Sequence, residues 1–379
     1  MIREYTLCDV DEERTSNKRL DPTSGSALAL SSDYFLMSIL APNAKEIAAL
    51  AREERANDIQ FAEPPSRVAL ETLERDILRH RSDFEVRFYG FYKTTCDLRM
   101  LQYIPSVKTL VVNCLRGEVD GVDEIGRLKN LVNLTIGIEF LNDFTFLDGL
   151  PPSLKILYLE EAKKKTLSLK PLRRFQKLRR LYIERHHKDL NVVSELGSLE
   201  ELVLRSITVP SLSFLSSLQK LRLLDLKLGG TKNLDILGDL ANLKQLEIWQ
   251  VSKLANLDDV VKARNLRVLY LQDLPNVTQL PSFAPMKELR EVHFNHLKGL
   301  KNIVPVTEAP RLEWLTLTSA PHCSAETFKP FLKHPTLKRV SVGLGSFRKN
   351  RDVRALFAGS KVSVDGGFGE NMLGSEDNQ

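Results

Sequence analysis

The sequence predicts an α/β solenoid: a horseshoe of stacked coils with a parallel β-sheet on its concave side and a helical cap at its N-terminal end. Three observations carry that expectation. The stretch LRVLYLQDL sets Leu266, Leu269 and Leu271 in the order LxxLxL, and near copies of it return along the chain. Aligned on their last apolar residue, the copies fall at Val112, Ile136, Leu159, Ile183, Leu204, Leu226, Ile248, Leu271, Phe294, Leu317, Val342 and Val364, with Phe88 of FEVRF as an earlier member. Their intervals run from 21 to 25 residues, a fixed period of the size that marks a repeat array. Each copy also alternates. In LEELVLRS the residues Leu199, Leu202 and Leu204 point inward while Glu201, Val203 and Arg205 point away, as on one short strand.

The elements follow in order. Residues 1–30 are polar and turn-rich, as in DPTSGS, and predict a loosely attached tail. Residues 31–82 predict a helical cap over the first strand edge. SDYFLMSIL and NAKEIAALAREERA are helical stretches, the second opened by Asn43 as N-cap. In SRVALETLERDILRHR, Leu70, Leu73 and Ile77 share a face opposite Arg75 and Arg79. Residues 83–366 form the solenoid of about 12–13 coils. After each strand a second apolar group, such as Leu212 and Leu215 or Leu234 and Leu237, carries the chain back across the body. One coil cannot bury its own leucines, so each must stack on the next. RDVRALFAGSKVSV predicts a last helix and strand, and residues 367–379 an acidic frayed tail.

This spacing resembles the leucine-rich repeat superfamily from about Asp83 to Gly366, in the irregular form found in bacterial cytoplasmic proteins. Many such repeats carry an Asn three positions beyond the last strand leucine, where its amide satisfies backbone groups at the bend. Here the slot holds Leu115, Glu139, Ala162, His186, Ile207, Gly229, Val251, Leu274, Leu297 and Ala320. The bend is therefore expected to be irregular, its backbone groups finding varied partners, and the chain departs from the receptor and internalin subfamilies. The resemblance implies a non-catalytic module that binds a protein partner on its concave face. It implies as alternatives a bacterial toxin-neutralising protein or a host-targeting effector. Repeat-containing ubiquitin ligases keep their chemistry in a separate domain, for which the roughly 80 residues before the array and 15 after it leave little room.

Composition excludes several classes. Hydrophobic content of 42% and charged content of 27% are those of a soluble globular chain. A net charge of +5 is a small difference between 54 basic and 49 acidic residues and gives no nucleic-acid signature. No segment approaches the roughly 20 apolar residues of a membrane span, and the start MIREYTLCDVDEERTS has no apolar run. Cys8, Cys96, Cys114 and Cys323 form no CxxC pair, which fits a reducing cytoplasm. There is no GxSxG, HExxH, phosphate-loop or dinucleotide fingerprint, so neither enzyme chemistry nor a cofactor or metal is expected. His186 and His187 are expected exposed on a loop. Cys96 and Cys114 are expected to be fillers or surface thiols, and the sequons at Asn133 and Asn276 to carry glycan only in a secreted chain.

The strand phase selects the candidate site. Middle positions of the LxL triplets put Tyr158, Tyr182, Asp225, Glu247, Tyr270 and His293 on the concave sheet. The next outward positions add Glu160, Glu184, Arg205, Lys227, Trp249, Gln272 and Asn295. Trp249, Tyr270 and His293 are expected to form a contiguous aromatic patch, with Trp314 on the neighbouring stripe. Exposed Tyr and Trp on a rigid sheet make good anchors, and the charged set supplies discrimination. A monomer binding one protein partner, without membrane or nucleic acid, is the resulting expectation.

Overall fold

A computed structural model describes residues 42–366. The readings for the two tails and for the SDYFLMSIL helix lie outside these residues. The described chain winds into a sheet of 14 parallel strands, each interior strand paired with those of the coils before and after it, and a separate parallel pair joins Cys96–Asp97 to Val119–Asp120. The inward LxL residues form the core, with Leu266, Leu269 and Leu271 wholly buried. The backs of the coils are short 3-10 turns such as Ser213–Leu215 and Asp235–Gly238. Leucines three apart fall on one face of such a turn, so Leu212 and Leu215, and Leu234 and Leu237, are buried together.

At the N-terminal end, α1 (Ala44–Leu50) opens with a capping box. Asn43 accepts from the amides of Lys45 and Glu46, and the Glu46 carboxylate accepts from the Asn43 amide. The helix α2 (Arg67–Leu73) is capped by Ser66 and continues as a π-helix, Glu74–Leu78, burying Leu70, Leu73 and Ile77. Between them lies a strand absent from the sequence reading. Asp58–Phe61 pairs in parallel with Glu85–Tyr89, placing Phe61 beside Phe88, so the sheet starts within the stretch expected to be helical. The interval from residue 61 to residue 88 is 27, outside the period of the other copies. At the far end α3 (Phe347–Leu356) precedes the strand Ser363–Gly366. There the register shifts by two: Val364 pairs with Val340, and Gly366 rather than Val364 with Val342. A shift of two leaves Val364 facing the same side, which is why apolar phase alone could not detect it.

In seven coils the bends are regular where irregularity was expected, while those nearer the ends of the sheet vary. In each of the seven the residue directly after the strand is left-handed: Arg185, Ser206, Leu228, Gln250, Asp273, His296 and Ser319, with φ between 50° and 63°. In the first six, its N–H donates to the carbonyl of the last strand residue of the following coil, from Arg185 to Arg205 through His296 to Thr318, at 2.8–3.1 Å. A backbone ladder thus does what side-chain amides were expected to do. In six coils the slot where Asn was sought faces inward and is filled by the buried Ala162, Ile207, Val251, Leu274, Leu297 and Ala320, whereas Leu115 in the same slot is exposed. His186 occupies that slot too and is wholly buried rather than exposed. Its Nε2 donates to the Glu160 carbonyl of the preceding coil at 3.0 Å, and its ring stands edge-on to Phe144 at 5.0 Å. Burial holds its pKa down, so the ring is neutral near pH 7. His187 is exposed as expected, and Cys96, Cys114 and Cys323 are buried fillers.

Candidate partner-binding surface

Parallel pairing without offset turns the sequence phase into stripes. Tyr158, Tyr182, Val203, Asp225, Glu247, Tyr270, His293 and Thr316 are successive cross-strand partners. Glu184, Arg205, Lys227, Trp249, Gln272 and Asn295 form the next stripe in the same register, with Glu160 just past the end of its strand. Trp314 heads a third stripe, beside Glu291. Most of these side chains are half-buried because neighbours one strand spacing away crowd over them on a concave floor. Three are more than that: Tyr182 is 6%, Asp225 4% and Thr316 3% exposed, so none of them presents a free surface to a partner.

The floor divides into a polar half and an aromatic half. In the polar half Arg205 pairs with Glu184 at 3.1 Å, and Tyr182 donates to Glu184 at 2.9 Å while its ring packs against Tyr158. Lys227 reaches Asp225 at 2.8 Å. Burial, reinforced by the neighbouring Glu247 carboxylate, pushes the Asp225 carboxyl up to about 7 even with Lys227 beside it. Burial likewise raises Glu160, partly offset by a hydrogen bond from Asn113. In the aromatic half His293 lies 6.3 Å from the Tyr270 ring and edge-on to Trp314 at 4.8 Å. Arg339 stacks over Trp314 at 4.2 Å, and the indole donates to Ser341 at 3.0 Å. Tyr270 donates to Gln272, and His293 is held by Thr316 at 2.8 Å.

Trp249 does not join this chain of rings. It leans the other way along its strand, donating to Asp273 at 3.3 Å with Lys227 at 5.8 Å from its centroid. The continuous aromatic row is Tyr270, His293, Trp314. Sequence reasoning also missed a link across three coils: Arg87 donates to Asn113 at 3.2 Å, and Asn113 donates to Glu160 at 2.5 Å. It passes over Gly137, where a Cβ would collide with the Glu160 carboxylate. A glycine inside a strand, marking close approach, was the available signal.

Among the described residues no group of three His, Cys, Asp or Glu is placed to hold a metal ion, and no helix is long and apolar enough to cross a membrane. The sheet, its period and its turns define the architecture: a solenoid of stacked parallel coils with the leucine-rich repeat fold. No family model and no curated protein matches the chain. Among solved structures it is similar to an internalin from Listeria monocytogenes, at 15% identity over 81% of this chain and 77% of that one, with a TM-score of 0.47. A leucine-rich repeat protein from Leptospira interrogans matches at 17% identity over 86% and 93%, with a TM-score of 0.48. A second Listeria monocytogenes internalin matches at 21% over 50% and 81%, with a TM-score of 0.41.

Proposed function

We propose that the protein is a non-catalytic, monomeric interaction module that holds a protein partner on the aromatic half of its concave floor. The observation that carries this reading is the row Tyr270, His293, Trp314. Its rings are partly exposed, yet each is already fixed by a hydrogen bond within the floor, so a partner meets preset surface and loses little entropy on contact. Arg339 on one side and the Asp225, Lys227 and Glu247 group on the other frame the row with charge of both signs, which orients a partner. The test is a pull-down with the full chain, followed by calorimetry on the recovered protein. Tyr270→Ala and Trp314→Ala are each expected to weaken binding by about 2 kcal/mol, the scale of a buried aromatic anchor. Lys232→Ala, on the return of its coil, should change it by less than about 0.5 kcal/mol. Equal affinity of both aromatic variants and the unaltered chain would remove the concave floor from consideration.

A further inference from the structure

We propose that the rim after the second, third and fourth strands of the sheet is a separate docking surface, shaped for an acidic segment of a partner protein that carries an apolar anchor. Eight large hydrophobic side chains are exposed among the described residues, and four of them lie at or just after the ends of these strands: Tyr89 at 39%, Tyr92 at 65%, Leu115 at 41% and Phe140 at 54%. Their proximity follows from the register. Tyr89 pairs with Asn113 and Asn113 with Gly137, so the residues three further on, Tyr92, Arg116 and Phe140, stand at equivalent places on successive coils. Pairing of Ile136 with Leu159 puts Lys163 next in that row, and its ammonium lies 5.0 Å from the Phe140 ring. Tyr92 stands edge-on to Tyr89 at 6.5 Å, and Arg87 covers the other side of Tyr89 at 4.7 Å.

Clustered exposed aromatics on one edge mark contact sites, because scattered single ones are the ordinary condition of a surface. The charge beside them identifies the occupant. Lys93, Arg116, Lys163, Lys164 and Lys165 are all exposed. None of the five is in an ion pair, whereas some bases elsewhere meet an acid of a neighbouring coil, as Arg179 meets Glu200 and Arg311 meets Glu288. Of the acids nearby, Glu161 is already engaged by Arg185, leaving Glu118, Glu139 and Asp143, the last facing Lys164, against five bases. The insertion EEAKKKT thus delivers three exposed ammonium groups to the rim, that of Lys163 beside the Phe140 ring and that of Lys164 donating to the Asn142 carbonyl. Tyr89 belongs to the sheet itself, so the rim is continuous with the floor, yet it lies eight strands from Tyr270, about 40 Å at the usual strand spacing. It can therefore be occupied independently of the aromatic row.

The test uses the full chain and three probes: a short peptide of glutamates with one leucine and one tryptophan, its lysine counterpart, and vesicles rich in phosphatidylserine. The acidic peptide should bind by fluorescence titration and weaken as salt rises, and the lysine peptide should not bind. Tyr92→Ser with Phe140→Ser should reduce acidic-peptide affinity about tenfold or more, and replacing Lys163, Lys164 and Lys165 by Ala should flatten its salt dependence. Both changes lie on exposed side chains, and the lysine variant alone keeps the test decisive if the aromatic variant melts early. Tyr270→Ala should leave the peptide affinity unchanged. Affinity that is the same in the rim variants, or lost in Tyr270→Ala, overturns the proposal. So does absence of acidic-peptide binding, or vesicle binding that the rim variants abolish, which would make the rim a lipid contact instead.

Discussion

Replacing Asp225 by Asn should stabilise the solenoid at alkaline pH and lose that advantage in acid. The carboxyl is 4% exposed, its Oδ1 has no hydrogen-bond donor, and the Glu247 carboxylate stands opposite it on the next strand. Its pKa rises from 3.8 to about 7. A carboxyl whose pKa is higher in the folded state binds its proton more tightly there. Its contribution to stability is complete below pH 3.8 and is lost as pH climbs to about 7. At 1.36 kcal/mol per pH unit the full loss is roughly 4 kcal/mol, already including the attraction of Lys227. Asn resembles the protonated acid in shape and charge, and its amide can donate to Glu247. The variant should gain roughly 2–4 kcal/mol at pH 8 and less than about 2 kcal/mol at pH 5. Urea melts at the two pH values measure this, with hydrogen exchange of the Leu224 and Leu226 amides as the local readout. A gain of the same size at both, or a variant weaker at pH 8, would refute the reasoning.

Other predictions are brief. Leu269→Asp should unfold its coil, since an unpaired buried carboxylate costs several kcal/mol; an unchanged thermal melt would mean that Leu269 does not face inward. His186→Asn should keep a donor for the Glu160 carbonyl and flatten the acid limb of stability. The buried ring has a depressed pKa, so its stabilisation is present above its ordinary value of 6.5 and lost as pH falls through the folded one; melts from pH 7 to 5 check this. Gln250→Gly should stabilise by about 0.5 kcal/mol, because relief of a left-handed residue outweighs the added chain entropy. A calorimetric scan resolves that difference as a rise in Tm.

The strands were legible because burial imposes a period that survives every substitution keeping Leu, Ile, Val or Phe inward. Asp58–Phe61 escaped because its spacing lies off that period, and the bends escaped because a backbone angle leaves no mark in the identity of Arg185 or Leu228. The candidate site was legible as stripes and not as contacts. Register fixes which residues are neighbours across strands, but rotamers decide which way a long side chain leans. Trp249 turns to Asp273 and Lys227, while Trp314 crosses to His293. Crowding between outward side chains was equally silent in the sequence, and Tyr182 and Asp225 are buried among their neighbours.

The bend ladder bears on how such a chain changes over generations. Seven joints of one shape are built on Arg, Ser, Leu, Gln, Asp, His and again Ser, and the first six present the same amide to the coil that follows. A joint made of main-chain atoms places no demand on which side chain it carries. A duplicated coil inserted beside its parent would find the donor and acceptor it needs already in position, and a lost coil would leave matching ends. The array can therefore lengthen, shorten and rewrite its rim while the joint itself stays the same.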